Sequence, residues 1–207
     1  MRARDNTLRV WEVDGGKELV RLEGHQDWPQ TAVFTPDGRS ILSGSRDKAV
    51  LLWDARTGKE LKRFAGDNPG WVESLALSPD GRRAVWGTGN LVRLVDLDSG
   101  KELRRFQGHQ YGVTGVAFAP DGRSILSSSY DGSVRWWDVA GGRERARFTG
   151  HNGFVWCAQF SPDGRSALSA GGGHSQGQDY VPGTDFLMRL WSLEPEKMAQ
   201  AGGKAGR

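Results

Sequence analysis

The sequence predicts an all-β fold made of repeated, four-stranded antiparallel sheets, and three observations predict it. The first is a period: Gly24, Gly66, Gly108 and Gly150 fall 42 residues apart. The positions that close each unit, Trp11, Trp53, Val95 and Trp137, keep the same step, and Trp191 then follows after 54. The second is that each unit contains apolar runs of five or six residues with turn-forming residues every eight to twelve. The third is the absence of any stretch with helical periodicity. One small module is therefore written four times, at 15–54, 57–96, 99–138 and 141–192, after a partial copy at 4–13.

Each module can be read strand by strand. Gly16-Lys17-Glu18-Leu19, Gly58-Lys59-Glu60-Leu61, Gly100-Lys101-Glu102-Leu103 and Gly142-Arg143-Glu144-Arg145 open a polar, alternating strand that faces water. Its last apolar residue is Leu22, Phe64, Phe106 or Phe148. A run such as Val113 to Phe118 or Val155 to Phe160 follows, apolar on both sides and expected to be covered on both. Pro36-Asp37-Gly38, Pro79-Asp80-Gly81, Pro120-Asp121-Gly122 and Pro162-Asp163-Gly164 then form hairpin turns, Pro presetting one dihedral and Gly supplying a positive φ. Two more strands complete the unit, for example Ser124 to Ser129 and Val134 to Val139. The array fills residues 4–194 and leaves a flexible tail over 195–207.

Composition narrows the function. Lys and Arg total 28 against 25 Asp and Glu, a net charge of +3 spread over all repeats, which does not imply a nucleic-acid partner. Thirty glycines suit many tight turns, and nine tryptophans suit wedge-shaped gaps between sheets. The single cysteine, Cys157, lies in an apolar strand and reads as a buried small hydrophobe. The start of the chain has no signal-peptide character, and no run reaches the roughly 18 apolar residues that span a bilayer. These features point to a cytoplasmic protein without a membrane partner.

A Gly-His step, a Pro-Asp-Gly turn, a Ser, a turn Asp and a closing Trp-Asp, registered at about 42 residues, resemble the WD-repeat β-propeller, in a version with bacterial-looking PDGR and GKEL repeats. The resemblance covers nearly the whole chain. It implies four-stranded antiparallel blades, about four to five of them here, around a central channel. It also implies a buried hydrogen-bonded quartet in each blade: His25, Ser43, Asp47 and Trp53; His109, Ser127, Asp131 and Trp137; His151, Ser169, Asp185 and Trp191. An indole N–H can only donate, a hydroxyl accepts and passes a bond on, an imidazole does both, and a carboxylate ends the chain. The front copy keeps Asp5 and Trp11. The second repeat loses all four, with Asp67, Trp86, Gly89 and Val95 in their places, and is expected to be held by apolar packing alone. A hydrolase triad is the other reading of His, Ser and Asp, but an active site copied three times with a Trp each time is not what catalysis needs.

Proteins of this family usually present a rigid ring to other proteins. The exposed positions of the face carrying the Gly-His and Asp turns would be Trp28, Gln30, Arg46, Thr114, Tyr130, Phe154, Trp156 and Thr184. Trp71 and Glu73 join them once an extra residue before Trp71 is allowed for. Aromatics with an Arg are the composition of interaction hot spots; the alternative is that Trp28, Trp71 and Trp156 tuck between blades. The insertion at 171–184 reads as a mobile loop on that face. His174 and Asp179 within it are too few for a metal site, and no GxxxxGK[ST] or HExxH motif occurs. No catalytic residue, cofactor or metal is expected.

The strands add up to seventeen, with the last blade short of its outer strand and the first short of its inner two. An arc cut from a longer protein, a small strained ring and two chains completing one another all fit that count, and open blade faces are surfaces for self-association. The leading functional expectation is a non-enzymatic scaffold that binds a protein or peptide. A sensor or regulatory fragment of a larger protein and an enzyme using the central channel are the alternatives.

Overall fold

The computed structural model describes residues 5–64, 67–176, 179–181 and 186–194. Among the described residues five sheets follow one another along the chain, each antiparallel and, save for the last strand of the fifth, built from sequence neighbours. The first is a hairpin of β1 (Leu8–Trp11) and β2 (Glu18–Leu22). The second contains β3 (Pro29–Phe34), β4 (Ser40–Ser45), β5 (Val50–Asp54) and β6 (Glu60–Phe64) in that order. The third runs β7 (Val72–Leu77), β8 (Arg83–Thr88), β9 (Leu91–Asp96) and β10 (Glu102–Gln107). The fourth repeats the pattern with β11 (Val113–Phe118), β12 (Ser124–Ser129), β13 (Ser133–Asp138) and β14 (Glu144–Thr149). The fifth has β15 (Val155–Phe160) and β16 (Ser166–Gly171), and β19 (Met188–Ser192) on its far side. Between those two, β17 (His174–Gln176) and β18 (Asp179–Val181) pair as a separate hairpin.

The sheets stack because each strand divides its side chains between two cores. Ile41, Leu51 and Trp53 pack back against Leu8, Val10 and Leu22 of the first hairpin. Their neighbours Leu42 and Val50 point the other way, to Val72, Leu75 and Trp86. One sheet further on, Ile125 and Trp137 meet Val85, Leu94 and Phe106, while Leu126 and Val134 meet Val155, Ala158 and Leu193. A period of two thus welds each sheet to both neighbours. The inner strands β3, β7, β11 and β15 lie side by side around a common centre. The four Pro-Asp-Gly turns place Gly38, Gly81, Gly122 and Gly164 at φ between 66 and 70°.

Two expectations need correction. Strand β15 is not covered on both sides: with no further sheet against it among the described residues, Cys157 is exposed rather than buried. Within the insertion the backbone pairs as the β17–β18 hairpin instead of forming a plain loop. The incomplete ring that the strand count allowed is borne out: among the described residues the first and last sheets share no strand pairing. Large apolar side chains stand open at the end of the arc, Phe186 at 66% exposure, Met188 at 72% and Leu190 at 74%. The expected tail, 195–207, lies outside the described residues.

Candidate partner-binding face

The turns on one rim of the arc are fixed by the quartets. Trp53 Nε1 donates to Ser43 Oγ at 2.8 Å, and Ser43 Oγ lies 2.8 Å from His25 Nε2. The hydroxyl therefore donates to Nε2, which leaves Nδ1–H to donate to Asp47 Oδ2 at 2.9 Å. Asp47 in turn accepts the N–H groups of Gln26 and Ala49, tying the Gly-His loop to the turn that follows β4. The fourth sheet repeats this, with Trp137 to Ser127 at 2.8 Å, Ser127 to His109 at 2.7 Å and His109 to Asp131 at 2.8 Å. In the fifth sheet Trp191 reaches Ser169, and Ser169 reaches His151, both at 2.8 Å. Asp185 and Thr184 lie outside the described residues, as does the side chain of His174. In the front copy Asp5 pairs with Arg9 at 2.6 Å, and Trp11 is half exposed.

These bonds set the ionisation of their members. Burial lowers the His25 pKa, only partly offset by Asp47, so the ring is neutral. Burial works against the charge of Asp47 and Asp131, yet the N–H and imidazole donors around each outweigh it and hold both carboxyls below the usual range.

The second repeat is not held by apolar packing alone. Trp86 fills the core beside Phe64, ring centroids 6.0 Å apart, much as Trp137 meets Phe106 at 5.6 Å. Its indole N–H donates to buried Asn68 Oδ1 at 3.3 Å, which also accepts Arg93 Nη1 at 2.6 Å. Asn68 Nδ2 donates to the Lys48 carbonyl at 2.6 Å, linking this sheet to the one before. Asp67, in the His position, pairs with Arg93 at 3.0 Å and Arg105 at 2.8 Å. A substitute polar network replaces the lost quartet. Sequence reading passed over Asn68; its place beside Asp67, where the Gly-His step fails, was the available signal.

On the rim so fixed, the side chains singled out from sequence fall into two contiguous groups. Arg46 lies between two indoles, its guanidinium carbon 4.9 Å from the Trp28 ring centroid and 4.3 Å from that of Trp71. Tyr130, Phe154 and Trp156 pack edge-to-face, with centroids 4.8 to 5.9 Å apart. Glu73 joins the groups by accepting the Tyr130 hydroxyl at 3.0 Å. Burial raises the pKa of Glu73, and burial with the adjacent carboxylate raises that of Tyr130. Trp28, Trp71 and Trp156 keep 37%, 47% and 42% exposure and are not tucked between blades. Gln30 is exposed. Thr114 is the exception: it is buried, and its hydroxyl donates to the Val155 carbonyl at 2.5 Å across the sheet boundary.

Stacked four-stranded sheets pinned by Trp–Ser–His–Asp chains define a propeller of WD repeats, and the chain belongs to the WD domain, G-beta repeat family, whose profile matches residues 16–54, 100–138 and 142–192. The repeat at 57–96, where the quartet is replaced, is not among those matches. The chain is similar to the nuclear distribution protein PAC1 of Coccidioides posadasii, with 40% identity over 42 residues, 20% of this chain and 9% of that protein. It is also similar to the human WD repeat and SOCS box-containing protein 1, with 43% identity over 42 residues, 20% of this chain and 10% of that protein. Each alignment spans about one repeat, roughly a tenth of the relative's length. The WD40 β-propeller domain of Doa1 superposes with a TM-score of 0.76 at 25% identity, covering 93% of this chain and 59% of that one. The bacterial character expected of the repeats is not borne out: the relatives named are fungal and human.

Proposed function

We propose that the protein is a non-enzymatic scaffold of the cytoplasm that binds a protein or peptide across the rim carrying Trp28, Gln30, Arg46, Trp71, Glu73, Tyr130, Phe154 and Trp156. The observation that carries this reading is the continuity of that rim. Trp28, Arg46 and Trp71 interlock across one sheet boundary, and Glu73, Tyr130, Phe154 and Trp156 interlock across the next two. Partly exposed aromatics held rigid by one another lose little entropy on contact, which is what interface anchors need. The hollow along the inner strands, about 470 Å³, offers no comparable chemistry: Ser74, Gln159 and Ser161 are its polar side chains, and no ionisable group lines it. That supports a binding role over catalysis in the channel.

The test is selection of random dodecapeptides displayed on phage against the folded protein. Peptides recovered on the wild type should lose binding to the Trp28→Ala/Phe154→Ala/Trp156→Ala variant while its melting temperature stays within a few degrees of the parent. Peptides that bind both proteins equally would remove the rim from consideration.

A further inference from the structure

Arg46 differs from the arginines that carboxylates hold. Arg63, Arg93, Arg105, Arg135 and Arg145 are each engaged by a carboxylate. Arg46 makes no ion pair among the described residues, and its Nε is buried without an acceptor. Its Nη groups are neither bonded nor buried, so they open to solvent. Glu73, whose carboxylate interacts with the Arg46 charge, is occupied with the Tyr130 hydroxyl. Two indole faces hold the guanidinium flat before anything binds, so little side-chain freedom remains to be lost. A planar, unpaired fork of N–H donors, stacked between two rings and open at its Nη atoms, matches one group best, a carboxylate taken on bidentately.

We infer that the partner of this rim seats an aspartate or glutamate side chain on Arg46, between Trp28 and Trp71. This rests on the rim being the binding face. The surroundings favour a peptide over a nucleic acid. One guanidinium, with the Glu73 carboxylate near enough to interact with it, accepts a single negative charge and repels a run of them. A hollow of about 360 Å³ lined by Lys48, Pro69, Gly70, Trp71 and Glu73 lies beside it and gives the residue flanking the acid a seat.

The same phage selection tests this. Recovered peptides should be enriched in Asp or Glu, and a synthetic copy, followed by fluorescence anisotropy, should bind Arg46→Gln about tenfold or more weakly than the wild type. Replacing the acid of the peptide by its amide should cost a similar factor on wild type and little on Arg46→Gln. Should Arg46→Gln melt early, Arg46→Lys decides, since it keeps the charge and loses the fork; binding should fall there too. Peptides that need Trp28 and Trp156 yet ignore Arg46, or that tolerate the amide, overturn the inference and leave the rim standing. Peptides indifferent to Trp28, Phe154 and Trp156 remove both, and a selection that yields no binder also overturns the inference.

Discussion

Trp86 and Asn68 restore between them what the second blade loses with its His, Ser, Asp and Trp. In the flanking blades the indole comes from the third strand, as Trp53 and Trp137, and donates to a serine on the second. Here the indole comes from the second strand, fills the same gap against the preceding outer strand, and donates outward to Asn68. Val95 takes the vacated place on the third strand. Volume is conserved while the donor finds a new acceptor, which is how a core tolerates exchange of large residues.

That relationship makes Asn68 the sensitive point of the blade. Asn68→Ala would orphan the Trp86 N–H, a donor of Arg93 and the Lys48 carbonyl together. The expected cost is about 1–3 kcal/mol, read as a lowered melting temperature in thermal unfolding. A variant that melts with the wild type would return this blade to apolar packing alone.

The fold was legible because the information repeats. A 42-residue step, Pro-Asp-Gly turns and alternating strands each state the same architecture, and errors in one copy are corrected by the next. The quartets were legible for the same reason. What escaped was whatever occurs once. Asn68 stands where the other repeats have Gln26, Gln110 and Asn152, so its type does not mark it; what occurs once is Asp67 before it in place of His. Cys157 reads as buried because its strand resembles β11, but β11 has a sheet on either side and β15, among the described residues, does not. Burial of an inner strand is a property of its neighbours, and local sequence does not contain it. Thr114 shows the converse: a rim position by spacing, it is drawn into the boundary by a carbonyl of the next sheet.

Acid should unfold the protein in two stages. The His25 pKa is lowered by folding from about 6.5, so the unfolded chain binds that proton more readily. Stability from this group is complete above pH 6.5 and declines as pH falls below it. Asp47 and Asp131 are likewise lowered from 3.8, so their contribution is complete above that value and is lost on further acidification. Asp131→Asn should be less stable than the wild type by about 1–3 kcal/mol at pH 7, with the gap narrowing below about pH 4, where the unfolded chain's Asp131 takes up a proton that the folded carboxyl still resists. Melting temperature followed by circular dichroism against pH reads both effects; a flat profile from pH 7 to pH 5 would contradict the first.

Two glycines on second strands mark where blades touch most closely. A Cβ on Gly44 would lie 2.4 Å from Val72 Cγ1, and one on Gly87 would lie 2.4 Å from Val113 Cγ1. Both valines open the inner strand of the next sheet and are fully or nearly fully buried. Gly87→Ala must therefore push β11 away from β8, at a cost of about 1–3 kcal/mol from overpacking. Gly87→Ala/Val113→Ala makes room again and should recover part of that loss. The double variant melting below both single variants would show that the contact is not what makes Gly87 necessary.

Cys157 reports on the open end of the arc. It lies on β15, in the sheet whose Leu168, Met188 and Leu190 also stand exposed. A thiol placed there should react with a maleimide in the native protein without denaturant. An uncovered apolar face of this kind is also where copies of the chain would stack. Labelling followed across a dilution series separates the two conditions: a rate independent of protein concentration marks a face open to solvent, whereas protection that grows with concentration, together with a rising mass in light scattering, marks copies joined through it. At micromolar concentration the open condition is expected, and a thiol that labels only after denaturant is added would mean that β15 is covered after all.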